Sequence, residues 1–258
     1  MLIKFFFKIK NKYNQLVKGS RIKEQNYPYV YDMIDLDIKF HINNPIEEFR
    51  LRDWGGEKKY VLSMISSLNE SDVFLDVGSS VGLISVIASK KLKSGNVISI
   101  EPDPENRLRL EMNYSLNKLK NYNIFQIAAG EKRDKLTLYT AGSNGYSPSL
   151  KKVNGIDRTI IVEVNSIDNL ISENKIPIPD IVKIDIEGAE FLALKGMSNL
   201  MSSLKRPRII FVELHPEFLP EFNTNTEEIL NYMKKFKYRI TENIQRDKQI
   251  LCQFTSIE

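Results

Sequence analysis

Cysteine is nearly absent from this chain. One residue, Cys252, stands among 258. That excludes an intramolecular disulfide framework and a multi-cysteine zinc site, and it fits a reducing, cytoplasmic setting. Histidine is almost as scarce, with His41 and His215 alone, so a histidine-rich metal site is excluded. No run of about 18 apolar residues occurs, and nothing reads as a membrane-spanning helix. There is no strong excess of one charge either. The 37 Lys and Arg against 33 Asp and Glu leave a net +4, too mild without a local patch to point to nucleic acid. Internal repeats and low-complexity linkers are also missing. The apolar fraction of 42% is enough for a sizeable core, in one large α/β domain or two small ones.

The most informative stretch is VFLDVGSSVGLIS, residues 73–85. An apolar run reads as a buried strand that breaks into a turn carrying Gly78, Ser80 and Gly82, and a helical pattern follows. A strand that restarts as a helix after a glycine turn makes a nucleotide-sized crevice in a doubly wound sheet. The glycines let backbone approach a ligand, and the helix start offers free N–H groups. Asp76, two residues before the first glycine, repels a pyrophosphate and attracts a cationic ligand such as S-adenosylmethionine, which bears an ammonium and a sulfonium. The G-x-G-x-x-G spacing of dinucleotide binders is lacking.

Around this motif, strand and helix patterns alternate. Residues 29–51 read as strand-like with a turn at Asn43-Asn44-Pro45, a hairpin of DIKFHI against EEFRLR. A helix is expected at 57–68. Strands follow at 73–77, 96–101 and 124–128, with helices at 83–92 and 104–118, the latter opened by Pro104. Residues 136–139 and 159–164 look like an inserted antiparallel pair, separated by a polar loop at 141–155. A short helix at 166–173 precedes a strand at 181–186, a helix at 189–204, a strand at 208–214 and a helix at 226–236. A closing pair, 238–243 with 250–255, reads as an antiparallel edge hairpin. Repeated βα units imply a mostly parallel sheet with right-handed crossovers.

Acids fall at the carboxyl ends of several expected strands. Glu101 follows Gly82 by 19 residues, where a βαβ fold places the acid that binds both ribose hydroxyls. Asp185 ends the strand IVKID, with Lys183 and Glu187 on the same side by alternation. Glu187 and Glu190 complement the dipole of the helix after Gly188. Glu213 and His215 end the strand IIFVELHP. Asp185, Glu187, Glu213 and His215 therefore meet in one cleft, where His215 serves as a general base or the four offer ligands to a divalent ion.

The blocks FLDVGSSVGLIS, VISIEPDPEN followed by Asn113 and Asn117, VNSIDNLI, DIVKIDIEGAEFLALKG and IIFVELH resemble the FkbM family of S-adenosylmethionine-dependent methyltransferases. They span residues 73–215. The resemblance implies an α/β, class I methyltransferase (Rossmann-like) fold, a seven-stranded mostly parallel sheet with an antiparallel C-terminal edge hairpin. It implies that Asp76, Gly78, Ser80 and Gly82 shape the methionine end of the cofactor site. Glu101 lies on the ribose, Ile127 and Ala128 beside adenine, and Asp185 near the transferred methyl. Ser80 departs from the asparagine common there but preserves the turn. The implied reaction is O-methylation of a hydroxyl on a sugar, glycan, glycolipid or related metabolite, with His215 and Asp185 as candidate bases and no nucleic-acid partner. A nicotinamide-dependent oxidoreductase and a non-catalytic membrane-docking module are the alternatives; the missing glycine spacing opposes the first, and the retained Asp76 and Glu101 oppose the second. Residues 71–258 form the methyltransferase domain and 1–70 a lead-in.

That lead-in starts with a basic amphipathic pattern. Leu2, Phe5, Phe6, Ile9, Tyr13 and Val17 fall at helical spacing, and Lys4, Lys8, Lys12 and Lys18 lie mostly off that face. Such a segment lies on an anionic membrane surface or packs against its own domain or a partner chain. Deleting residues 1–18 is expected to leave cofactor binding intact and to abolish sedimentation with anionic vesicles at low salt. Each lysine near the surface contributes about 1 kcal/mol, and full-length protein that stays in the supernatant would overturn the membrane reading.

Overall fold

The structure, a computed structural model, describes residues 27–52, 54–140, 148–152 and 158–257. The amphipathic segment at 1–20 lies outside the described residues, as do 141–147 and 153–155 of the polar loop.

The centre is a seven-stranded sheet. In chain order its strands are β3 (Val73–Val77), β4 (Asn96–Ile100), β5 (Tyr122–Phe125), β9 (Ile181–Ile184), β10 (Ile209–Leu214), β11 (Tyr238–Arg246) and β12 (Gln249–Ser256). Its order is β11-β12-β10-β9-β3-β4-β5. The five strands from β10 to β5 run parallel; β12 pairs antiparallel with both β10 and β11. All four residues of β9 are buried, which is why it reads as a continuous apolar run broken by one lysine.

Helices cover both faces. On one side lie α2 (Lys58–Ser66), α3 (Leu83–Lys91) and α4 (Pro104–Leu116). Tyr60, Met64, Ala88 and Leu92 pack there on Phe74, Val97, Ile181 and Phe211. On the other lie α5 (Ile167–Ser172), α6 (Glu190–Lys195), α7 (Ser198–Ser202) and α8 (Thr226–Lys235). They bury Leu75, Val77, Ile98, Val182, Ile184 and Val212. The odd and even residues of β3 thus face opposite layers, as strand geometry requires.

The hairpin before the sheet differs from the expected one. β1 (Tyr29–Met33) pairs with β2 (Ile38–Ile42), and EEFRLR belongs to a helix, α1 (Pro45–Arg52). Asn44 Oδ1 accepts from Glu47 N at 2.9 Å, proline opens the helix, and acids precede bases along it. Cap chemistry and dipole order override the alternating polarity. Glu47 is buried and ion-paired with buried Arg109 of α4, and Phe40 and Ile42 share a core with Val86, Leu110 and Tyr114.

Two other expectations change. The strand expected at 124–128 ends at Phe125, and β6 (Ala128–Ala129) pairs with β8 (Thr159–Asn165) in a separate three-stranded sheet completed by β7 (Asp134–Tyr139). The helix expected at 189–204 breaks after Lys195. A Cβ on Gly196 would stand 2.0 Å from Gly130 O, so the chain turns at a close backbone approach. Asp168 then accepts from Asn199 N and Leu200 N at 2.8 and 2.9 Å, capping α7 from outside. The inserted pair β7–β8 and the edge hairpin β11–β12 are where the sequence patterns put them.

Candidate active site

The turn between β3 and α3 is held by backbone. Gly78 N and Ser79 N both donate to Ile100 O, at 2.9 and 3.1 Å. Gly78, Ser80 and Gly82 all take positive φ, at 81°, 51° and 95°, a region open to glycine and rarely to others. A Cβ on Gly78 would stand 2.0 Å from Asp185 O, so this turn and the loop after β9 touch. Ser80 N donates to Glu101 Oε2 at 2.8 Å, and Asp103 N to Oε1 at 2.9 Å. Glu101 is 3% exposed, and burial pushes its pKa up to about 7. Each of its oxygens keeps lone-pair capacity beyond these bonds. Asp103 caps α4 and accepts from Thr140 Oγ1, so the residue just after β7 is tied to the neighbourhood of Glu101.

Asp76 does not present an open carboxylate. It is 1% exposed, and Ser85 Oγ donates to its Oδ2 at 2.5 Å. Lys183 of β9, its register partner, brings Nζ to 3.1 Å from Oδ1, an ionic contact without hydrogen-bond alignment. Lys183 also donates to Gly78 O at 2.8 Å and lies 3.6 Å from Asp185 Oδ2. Burial lowers the lysine pKa, but Asp76 and Asp185 outweigh it and hold the ammonium above its ordinary value. The cation expected opposite Asp76 is thus supplied by the chain itself, and the carboxylate acts on the turn through this network.

The loop after β9 and the end of β10 bring the expected acids together. Glu187 and Gly188 take positive φ, which turns Asp185 and Glu187 back toward His215. His215 Nε2 lies 3.5 Å from Glu187 Oε2, 3.7 Å from Glu213 Oε1 and 3.9 Å from Asp185 Oδ1. Its Nδ1 meets Glu190 Oε1 at 2.7 Å. The side chains of Asp185 and Glu187 are 33% and 21% exposed, that of His215 2%. Burial lowers the imidazole pKa, but Glu187, Glu190 and Asp185 reverse this and raise it to about 10. Nδ1 is committed to Glu190, so Nε2 is the ring nitrogen that faces Asp185, Glu187 and Glu213. Burial raises the Asp185 carboxyl, but Lys183 and His215 outweigh it and hold it below its ordinary value. Burial and the neighbouring acids Asp185 and Glu57 push Glu213 well up. Ligand atoms of Asp185, Glu187 and His215 all lie within 4.8 Å of one another, close enough to share an ion.

The methyltransferase FkbM domain model matches residues 76–240, from Asp76 in β3 to the first residues of β11. This chain belongs to the FkbM methyltransferase family. It is an S-adenosylmethionine-dependent methyltransferase of the class I fold. Hexuronic acid methyltransferase AglP of Haloferax volcanii is 28% identical over 193 residues, covering 73% of this chain and 74% of that protein. Among solved structures, Trm5b of Pyrococcus abyssi superposes with a TM-score of 0.50 at 15% identity, over 91% of this chain and 57% of that one. TYW2 of M. jannaschii gives 0.48 at 13%, over 92% and 90%.

In this FkbM protein the elements that close the cluster were not all visible beforehand. Glu190, expected only to favour a helix dipole, is fully buried and holds both Gly188 N and the imidazole. Arg246 of β11 bonds Glu213 at 2.9 Å and also bonds Glu57, just before α2. Nothing in the spacing of Glu57 or Arg246 marks them, since tertiary packing brings them there. Ile127 packs at the edge of the main core, and Ala128 is buried in β6. Among the described residues, no helix is long and apolar enough to cross a membrane.

Lys183→Met is expected to destabilise the fold by about 3–5 kcal/mol, because two buried or half-buried carboxylates lose their counter-charge. Adding Asp76→Asn should recover part of the loss. Denaturant titration checks both, and a single mutant as stable as the parent would show that Lys183 balances no charge.

Proposed function

We propose that this enzyme transfers the methyl of S-adenosylmethionine to a hydroxyl of a sugar or glycan acceptor. The observation that carries the reading is the contact between two loops. The Gly78–Gly82 turn meets the Asp185–Gly188 loop with no room for a side chain, so the turn of the cofactor crevice and the acidic cleft share a wall. A uronic acid or a related carboxylated sugar is the favoured acceptor, supported by the similarity to a hexuronic acid methyltransferase.

The cofactor supplies a methyl carbon already activated by the sulfonium. In this reading the chain positions the reactants, excludes water and manages the hydroxyl proton. Gly78, Ser80 and Gly82 allow backbone approach to the methionine end. Glu101 accepts from the ribose hydroxyls with its remaining lone pairs, and Ile127 and Ala128 lie on the adenine side. Asp76 and Lys183 fix the turn rather than meet the ligand. Asp185 and Glu187, the cleft acids with solvent access, orient the acceptor hydroxyl and receive its proton, while His215 holds them from below. The polar loop at 141–155, which follows Thr140 in the chain, contacts the acceptor.

Labelled-methyl transfer to uronic-acid-bearing and neutral glycans, and to an extract of the source cells, tests this directly. Label is expected as an O-methyl ether on a sugar, with Asp185→Asn losing most of the transfer. Label found solely on nitrogen or on nucleic acid would overturn the reading.

The Glu101 role carries its own pH signature. Ribose hydroxyls donate to the carboxylate, so the ligand favours the ionised form. Below the free-protein value of about 7 each bound ligand must expel a proton. Cofactor affinity should therefore be full above pH 7 and weaken as pH falls, by at most about tenfold per unit. Calorimetry on wild type and Glu101→Gln checks it. The variant should bind about ten- to a hundredfold more weakly at pH 8 and lose the dependence; a parallel pH profile in both would remove Glu101 from the ribose.

A further inference from the structure

We propose that Asp185, Glu187 and His215 form a binding site for a divalent cation at the carboxyl ends of β9 and β10. The inference rests on the O-methyltransferase reading and deepens it, since the ion would bind and orient the oxygen of the acceptor.

Three observations converge. First, the imidazole nitrogen is spaced from each of the two carboxylates for a shared ion rather than for direct pairing. His215 Nε2 stands 3.5 Å from Glu187 Oε2 and 3.9 Å from Asp185 Oδ1. Atoms bound to one ion at about 2.1 Å lie roughly 3–4 Å apart, whereas a direct charged hydrogen bond closes to about 2.7–2.9 Å. Second, Nε2 is buried and has no hydrogen-bond partner. A polar atom that is out of contact with water is seldom left so, and this one faces the carboxylates of Glu187, Glu213 and Asp185. Third, the far side of the ring is already anchored. Glu190 Oε1, itself fixed by Gly188 N at 2.8 Å, accepts from Nδ1 at 2.7 Å. That carboxylate–histidine arrangement fixes the ring with Nε2 toward the cleft, where a bound metal takes the place of the Nε2 proton.

The surrounding charges divide the work. Lys183 is on the Oδ2 side of Asp185 at 3.6 Å, which leaves Oδ1 for the ion. Arg246 engages Glu213 at 2.9 Å, so this fourth acid, 3.7 Å from Nε2, already has its own counter-charge. Two carboxylates and one imidazole suit a first-row divalent ion such as Mn²⁺ or a hard ion such as Mg²⁺. The partial exposure of Asp185 and Glu187 leaves open positions on the solvent side.

The test uses chelator-stripped full-length protein and Mn²⁺ alone, without methyl donor or acceptor, so its outcome is independent of the O-methylation reading. Electron paramagnetic resonance titration should show one saturable Mn²⁺ per chain. Glu187→Gln, at a partly exposed position, and His215→Ala should each weaken it by at least about tenfold with thermal unfolding of Glu187→Gln unchanged. If His215→Ala fails to fold, Asp185→Asn replaces it. No saturable binding at millimolar Mn²⁺, or wild-type affinity in folded Glu187→Gln, overturns the proposal.

Discussion

A single buried ammonium organises the functional end of this sheet. Lys183 sits between Asp76 on the neighbouring strand and Asp185 two residues further along its own, and it also holds the carbonyl of Gly78. Strip that charge away and the carboxylate of Asp76 has a serine alone to offset its desolvation. The turn that shapes the cofactor crevice and the loop that carries the acceptor-side acids are then no longer referred to the same point. Their mutual approach, too close for any side chain on Gly78, depends on this shared anchor.

Outward from that anchor the electrostatics become progressively more strained. Asp185 is matched by Lys183; Glu213 is matched in part by Arg246; His215 and Glu190 are matched mainly by each other. Like charges held this close cost free energy unless something compensates them, and the positive φ of Glu187 adds backbone strain to the same few residues. Clustering of strain and charge at one spot is characteristic of sites shaped for a ligand rather than for stability alone.

Much of this was readable in the chain. The strand–turn–helix at 73–85 and the acids at strand ends follow from period and spacing, because parallel strands place their carboxyl ends on one side. The reading failed where local chemistry outweighed period. EEFRLR alternates in polarity, yet Asn44 and Pro45 start a helix there. The 189–204 helix is interrupted by a contact between Gly196 and Gly130, a distance no local pattern encodes. Asp76 was assigned to a cationic ligand because its partner lies 107 residues away, on a strand whose neighbour could not be known from spacing. Arg246 and Glu57 were missed for the same reason, as they enter by way of tertiary pairing.

The polar row across the sheet has a consequence for how the strands find one another. Ser99, Asp76 and Lys183 stand in register on β4, β3 and β9, flanked by apolar residues on every side. Strands buried on both faces carry little information about alignment, since sliding one by a residue exchanges one aliphatic neighbour for another. The exception is a slip that moves Lys183 opposite Leu75 or Val77, leaving an ammonium and a carboxylate each without a counterpart inside the core. Such a slip is disfavoured by charge as well as by packing. The lysine in IVKI therefore acts as a key for strand alignment, favouring one pairing out of several that hydrophobicity alone would accept.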